Sequence, residues 1–219
     1  KIYKSIDNGV NWLENLHIPN SGRIALTTDY SGKYYAISAK NTNGQFNGFY
    51  KSEDFGNTFQ IINVTPINIL SYFYNGNQAY SQGLYDLCIT INPNNSNIIY
   101  VGGINLWKSY DGGTNWEIVN FYPASSAGEN TNNTPVVHAD KHALEWQGNV
   151  LWEGNDGGIY KTSDAGQTWE DKTNNLQISQ IHRIGISQIN SRIVSGLQDN
   201  GCKLFNNSWS NNYTGDGGE

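Results

Sequence analysis

The chain has 219 residues and a formal net charge of −6, with 15% charged and 13% aromatic residues. The acidic balance argues against a nucleic-acid partner, because such proteins present a basic face to the phosphates. No stretch approaches the roughly 20 apolar residues that a membrane-spanning helix needs, so no membrane span is expected. Abundant Gly, Asn and aromatic residues favour strands and tight turns, and they predict an all-β chain.

A ten-residue motif recurs four times, as aromatic-Lys-[Ser/Thr]-x-Asp-x-Gly-x-x-[Trp/Phe]. The copies begin at Tyr3, Tyr50, Trp107 and Tyr160, at intervals of roughly 50 residues, a period typical of propeller repeats. Each copy predicts a β-hairpin in which the Asp accepts backbone N–H groups, the Gly takes a left-handed conformation and the last aromatic packs between sheets. The residues with these structural roles are Asp7, Asp54, Asp111 and Asp164; Gly9, Gly56, Gly113 and Gly166; and Trp12, Phe59, Trp116 and Trp169.

Further strand-like runs precede each motif, which makes four antiparallel strands per unit. In the third unit these runs are Tyr85–Ile91 and Asn97–Gly102, and in the fourth they are Val137–Trp146 and Val150–Gly154. Four strands in a unit of this length predict a blade of a β-propeller. We expect an outer hairpin of a first blade at 1–16, four blades at 22–62, 84–120, 136–172 and 180–212, and the start of a next blade at 213–219.

Lys1 already lies inside a repeat, so we expect a fragment of a propeller with seven or eight blades. The rest of the propeller, or another chain, would then cover the cut blade edges. The alternative is a small closed ring in which the last strands complete the first blade. Cys88 and Cys202 fall in different blades, which predicts two free, buried thiols.

Four polar motifs fall where a blade's innermost strand begins or its second strand ends. They are His138-Ala139-Asp140-Lys141-His142, Gly154-Asn155-Asp156-Gly157-Gly158, Leu197-Gln198-Asp199-Asn200-Gly201 and Gly215-Asp216-Gly217-Gly218. In a propeller these positions meet at one mouth of the central channel, so we expect the four motifs to cluster there. The candidate binding residues are His138, Asp140, His142, Asn155, Gln198, Asp199 and Asn200, and the candidate catalytic residues are Asp156 and Asp216.

Clustered carboxylates suit three kinds of site. They bind glycans, they serve as acid and base on a glycosidic bond, or they hold Ca²⁺ through several oxygen ligands. The alternative is that Asp and Asn only cap strand ends. Zinc is disfavoured, because His138 and His142 would lie about 13 Å apart on a straight strand. No cofactor is expected apart from Ca²⁺ at this acidic mouth.

The four motif copies resemble the Asp-box, or BNR, repeat of sialidases, xyloglucanases and sortilin-type propellers. The stretch from His138 to Gly218 is similar to large secreted bacterial BNR-repeat proteins, many of them exported by Bacteroidetes and labelled glycosyl hydrolases. This resemblance implies a secreted or cell-surface location, as does the composition. Sialidases use an arginine triad, and His182-Arg183-Ile184-Gly185 lacks both the aromatic residue and the proline of its motif, which argues against that activity.

The resemblance to xyloglucanases concerns two segments. Asn155-Asp156-Gly157-Gly158-Ile159-Tyr160 and Gly215-Asp216-Gly217-Gly218 partly match the segments that carry the two catalytic aspartates of those enzymes. Here both segments lie in neighbouring blades, whereas the enzymes draw them from different lobes. Two hypotheses follow: a module that recognises a glycan or a surface protein, favoured here, and a polysaccharide hydrolase with Asp156 and Asp216 as acid and base.

Overall fold

The computed structural model describes residues 1–29, 31–66, 68–77, 79–122, 133–176, 179–198, 200–213 and 215–217. These described residues form strands and no helix, as the sequence predicts. Four sheets contain four antiparallel strands each, and a fifth contains two. In every sheet each strand pairs with the next strand along the chain, which is the meander of a propeller blade.

The strand bounds are as follows. The two-stranded sheet is β1 (Ile2–Lys4) and β2 (Leu13–Leu16). The next two sheets are β3 (Ser21–Thr28), β4 (Tyr34–Lys40), β5 (Phe46–Ser52) and β6 (Gln60–Ile62), then β7 (Cys88–Asn92), β8 (Asn95–Gly102), β9 (Leu106–Ser109) and β10 (Trp116–Asn120). The last two are β11 (Lys141–Gln147), β12 (Val150–Asn155), β13 (Gly158–Thr162) and β14 (Glu170–Asp171), then β15 (Ile181–Ile186), β16 (Arg192–Leu197), β17 (Gly201–Asn206) and β18 (Ser208–Tyr213).

Two strands begin later than the sequence predicts. β7 starts at Cys88 rather than Tyr85, because the N–H groups of Tyr85 and Asp86 both bond to the carbonyl of Gln82 in a turn. β11 starts at Lys141 rather than Val137, because Asp140 has a left-handed φ of 61° that interrupts extended backbone. Both differences leave irregular backbone directly before β7 and β11.

The sheets bury their faces against one another. One core cluster includes Tyr35 and Phe49 of one sheet with Ile99 and Trp107 of the next. A second includes Tyr100, Leu106 and Val119 of that sheet with Leu144 and Leu151 of the following one. The innermost strands β3, β7 and β11 lie side by side.

The segment between β6 and β7, residues 63–87, has no counterpart in a simple four-stranded blade. Most of it was not predicted to be part of a blade strand. Ile69 and Leu70 of this segment are fully buried in the first core cluster. The segment therefore fills space beside the β3–β6 sheet and the β7–β10 sheet, a role that its lack of strand periodicity concealed.

The repeat turns, defined here as the [Ser/Thr]-x-Asp-x-Gly part of each motif, share one hydrogen-bond pattern. In the third turn Ser109 Oγ donates to Asp111 Oδ1 at 2.8 Å and accepts from the Gly113 N–H at 2.9 Å. Asp111 Oδ1 also accepts the N–H groups of Thr114 and Asn115, both at 3.0 Å. The other three turns repeat the Ser or Thr bridge between Asp and Gly, and all four glycines have positive φ.

The lysine of the motif has a role that the sequence did not reveal. Lys108 Nζ donates at 2.9 Å to the carbonyl of Ala165, and Lys4 Nζ donates at 2.9 Å to the carbonyl of Phe55. Both acceptors lie between the Asp and the Gly of the next sheet's repeat turn. The motif lysine thus links neighbouring sheets in these two cases.

The closing aromatics of the motif differ in burial. Trp116 is 6% exposed and packs edge-on against Phe49, with ring centroids 5.4 Å apart. Trp12 is 60% exposed, so the expectation that it packs between sheets is wrong for this copy. Its indole N–H still bonds to the Gly9 carbonyl, as that of Trp116 bonds to Gly113, but no described sheet covers its outer face.

Both cysteines are free, as expected from their different blades. Cys88 is buried, and burial raises the pKa of its thiol. Cys202 is only half-buried, because it lies on the last sheet, which no further described sheet covers. Within the described residues there is no helix long and apolar enough to traverse a bilayer.

Candidate functional site

The turns that carry the polar motifs meet at one end of the sheets. β11 and β12 pair so that Lys141 lies opposite Asn155, which brings the turn before β11 beside the turn after β12. Asn200 Nδ2, in the turn after β16, donates to the backbone carbonyl of Asp156 at 3.0 Å. The last segment joins them, since the Gly217 N–H donates to the Leu197 carbonyl at 3.0 Å.

The Asp156 carboxylate contacts side chains from two other segments of the chain at this end. His142 Nε2 lies 2.7 Å from its Oδ1, and the Tyr85 hydroxyl donates to its Oδ2 at 3.1 Å. The Tyr85 and His142 rings meet edge to face with centroids 4.9 Å apart. The Asp156 side chain is 5% exposed and that of His142 is 35% exposed. The carboxylate is therefore held by two ring-bearing side chains that are both partly exposed to solvent.

A cleft of about 390 Å³ opens beside Asp156, and we call it the mouth cleft. It is bounded by carboxylate, imidazole, amide and hydroxyl groups together with exposed backbone. Its lining residues are His142, Asn155, Asp156, Gly157, Gly158, Thr173, Ser179, Gln180 and Asn200. Four residues singled out in the sequence, His142, Asn155, Asp156 and Asn200, thus share one concave surface.

A buried ion pair lies behind the mouth cleft. Lys141 Nζ is 3.4 Å from Glu153 Oε1, and both side chains are completely buried. Glu153 also accepts hydrogen bonds from Asn120 Nδ2 at 2.7 Å and from Asn155 Nδ2 at 2.8 Å. Lys141 Nζ in turn donates to the backbone carbonyl of His138. The pair therefore ties the turn before β11 to the turn after β12.

The turn that presents Asp156 depends on this support. Asn155 Oδ1 accepts the Gly157 N–H at 3.0 Å, so the amide held by Glu153 also shapes the turn. At Gly157 a Cβ atom would lie 2.3 Å from the His138 ring, so only glycine fits there. The His138 ring lies against Gly157 and Tyr122, whose ring centroid is 5.3 Å away. His138 therefore supports the turn and is not part of the cleft lining.

Asp140 and Asp86 form a pair of carboxyl groups at this end. Gln82 Nε2 donates to Asp140 Oδ1 at 3.2 Å, and the Asp140 side chain interacts directly with that of Asp86. Asp86 is completely buried. Burial raises the pKa of Asp86 to about 8, and the negative charge of Asp140 adds to the shift.

Three further candidate site residues from the sequence are Gln198, Asp216 and Asp199. Gln198 Oε1 lies 2.5 Å from His182 Nε2. Asp216 lies between Gly215 and Gly217, whose backbone groups bond to Gly201 and Leu197. Asp199 lies outside the described residues. Among the residues that are described, no three or more His, Cys, Asp or Glu side chains are grouped so that they could hold a metal ion.

Comparison of the sequence with protein-family models and with curated proteins gives no match. Solved structures do match. The GH74 xyloglucanase from Xanthomonas campestris aligns with 98% of this chain at 16% identity and a TM-score of 0.55. An ancestral GH74 enzyme aligns with 95% at 15% identity and a TM-score of 0.51.

The chain has a β-propeller fold. At these identities the similarity establishes the fold alone. The chain spans 36% of the length of the Xanthomonas enzyme and 28% of that of the ancestral one. YCF48 bound to D1 peptide also aligns, over 89% of this chain and 68% of its own, at 12% identity and a TM-score of 0.44.

Proposed function

We propose that this chain is part of a secreted or cell-surface BNR/Asp-box propeller that recognises a glycan in the mouth cleft. The observation that carries the proposal is the cleft of about 390 Å³ in which Asp156 is held by His142 and Tyr85. Fixed polar groups at a concave surface give orientation and specificity to a bound ligand. Amide, hydroxyl and carboxylate groups are the partners that sugar hydroxyls require, since these both donate and accept hydrogen bonds.

One face of the β15–β18 sheet exposes several apolar side chains, which indicates that another part of a larger assembly covers it. Ile181, Ile184, Ile186 and Trp209 of the β15–β18 sheet are each more than half exposed. Adjacent apolar side chains on a sheet face mark an interaction surface. We expect another blade of the same propeller, or another chain, to cover them.

The test of the recognition proposal uses the complete propeller on an array of plant and microbial polysaccharide fragments, with titration calorimetry of any bound glycan. Saturable binding is expected, and Asp156→Asn should weaken it roughly 10- to 100-fold, since a hydrogen bond to a charged group contributes about 1.5–3 kcal/mol. Glu53→Gln is the matched control, because Glu53 is an exposed carboxylate far from the cleft that pairs with Lys51.

Two results would contradict the recognition proposal. One is the absence of binding to any glycan by the complete, folded propeller. The other is equal affinity of the wild type and the Asp156→Asn variant, which would place the ligand elsewhere. Binding of a protein partner with the same dependence on Asp156 would keep the cleft as the site but change the class of ligand.

The second candidate function is a glycoside hydrolase with Asp156 and Asp216 as acid and base. The observation that favours it is that the Asp156 carboxylate borders the cleft and contacts His142, so a group able to exchange protons lies beside it. Xyloglucan is the first substrate to test, because the aligned solved structures include xyloglucanases. If this candidate is right, the complete protein cleaves the polysaccharide and Asp156→Asn abolishes cleavage. Binding without turnover in the wild type would exclude it.

A further inference from the structure

Asp86 is a fully buried carboxyl group that does not line the mouth cleft. Neither of its carboxylate oxygens has a hydrogen-bond donor within the described part of the chain. An ionised carboxylate in such a place is costly, so a buried oxygen of this kind calls for a proton or a positive charge. The side chain that faces it is another carboxyl group, Asp140.

Among the described residues, the positively charged side chains near Asp86 form their bonds with other groups. The guanidinium of Arg23, on β3, donates hydrogen bonds to the backbone carbonyls of Leu84, Tyr85 and Leu87, which flank Asp86. Its positive charge lowers the pKa of Asp86, but by less than burial raises it. From β11, Lys141 bonds to Glu153 and to the His138 carbonyl. From β7, the Cys88 thiol has a raised pKa and stays neutral.

The remaining neighbour is the Gln82 amide, which donates to Asp140 and carries no charge. Two carboxyl groups in direct contact cannot both ionise in a buried site without a large repulsion. The favoured state is one proton shared between Asp86 and Asp140, with the bridging hydrogen bond supplying the donor that the oxygens of Asp86 otherwise lack.

This pair is directly connected to the mouth cleft through the chain. Tyr85 precedes Asp86, and its hydroxyl donates to Asp156. His142 follows Asp140 by two residues, and its Nε2 contacts the same carboxylate. Both side chains that hold Asp156 therefore start from backbone that the carboxyl pair anchors. A displacement of Asp140 from Asp86 would move them together.

We propose that Asp86 and Asp140 share one proton, that this bond positions Tyr85 and His142 on Asp156, and that release of the proton to solvent at alkaline pH loosens the mouth cleft. Asp86 and Asp140 are thus positioning residues. The consequence for ligand affinity rests on the proposed function, but the positioning itself does not.

The raised pKa of Asp86 determines how the stability of the protein changes with pH. The pKa of Asp86 is raised on folding, so the contribution of the pair to stability is complete in acid and is lost as the pH rises towards about 8. The wild type should therefore melt at a progressively lower temperature as the pH rises from about 4 to about 8, with little further loss above that. Asp86→Asn cannot ionise and donates a permanent hydrogen bond to Asp140, so its melting temperature should change less over that range.

The second measurement follows the His142 ring by NMR in the absence of any ligand. In the wild type the ring signals should shift between pH 7.5 and 9, above the ordinary titration range of histidine, and in Asp86→Asn they should not. If Asp86→Asn does not fold, Asp140→Asn is the second variant: it removes the like charge and offers an amide donor to Asp86, so the His142 shift should move to lower pH than in the wild type. His17, an exposed residue directly after β2, provides the reference histidine signal.

Each result of these two measurements either supports or contradicts a stated part of the proposal. Equal pH dependence of melting in the wild type and both Asn variants would overturn the shared proton. A difference in melting with an unchanged His142 signal would show that the pair is structural only and would overturn the link to the cleft. A shift of His142 in a protein that binds no glycan would support the positioning role while contradicting the proposed function.

Discussion

Replacing Glu153 with Ala is expected to lower the free energy of unfolding by roughly 3–5 kcal/mol, because it leaves the completely buried Lys141 ammonium without its counter-ion. The loss also removes the acceptor of two buried amides, Asn120 and Asn155. Since Asn155 shapes the turn of Asp156, the mouth cleft should be disturbed even where the protein still folds. Urea-induced unfolding, followed by tryptophan fluorescence, measures the effect.

Glu170→Ala is the matched control in the same sheet. Glu170 pairs with Lys161 at 3.1 Å, but the two side chains are 54% and 29% exposed. An exposed pair of this kind contributes about 0–1 kcal/mol, so this variant should be almost as stable as the wild type. Equal effects of the two substitutions would show that the Lys141–Glu153 pair is solvated and does not anchor the turns.

Gly113→Ala is expected to destabilise the protein by roughly 2–5 kcal/mol, from backbone strain and overpacking together. Gly113 has a φ of 101°, and a Cβ atom there would lie 2.2 Å from the ring of Phe49. Phe49 is completely buried between Tyr35 and Trp116, so its ring has no room to retreat. Thermal unfolding compared with the wild type gives the magnitude.

The other copies of the motif provide controls for Gly113→Ala. Gly9 has a φ of 86°, and its nearest neighbour would be Trp12 at 3.7 Å. Gly9→Ala therefore carries the backbone strain alone, about 1–2 kcal/mol. The difference between the two variants isolates the contact between sheets. Similar losses at both positions would mean that the repeat turn, rather than the packing of Phe49, limits stability.

Much of the fold could be predicted because the motif is local. The Ser or Thr, Asp and Gly of each repeat turn satisfy one another within five residues, so their spacing alone specifies a hairpin. The same locality explains the errors at Tyr85 and Val137. The apolar pattern before β7 and β11 continues past the point where turns and the left-handed Asp140 interrupt the strand, and such interruptions depend on neighbouring chain.

The candidate site was predictable only in part. His142 lies at the start of β11 and Asp156 in the turn just after β12, so the pairing of these two consecutive strands brings their motifs together. Tyr85, Asp86 and Gln82 come from a segment before another sheet, and nothing in their local pattern points to the mouth. Glu153 did carry a weak signal: it occupies an inward position of a strand whose neighbour Leu151 is also buried, and a charged residue there requires a buried partner.

The sequence by itself determined the all-β class, the four-stranded units and the geometry of the four repeat turns, because those features depend on residues close together in the chain. Only the tertiary structure decided which polar side chains meet at the mouth, which aromatics are covered and which carboxyl groups are buried. Those properties depend on how one sheet packs on the next, and the groups concerned, such as Tyr85 with Asp156 and Asp86 with Asp140, are far apart in sequence.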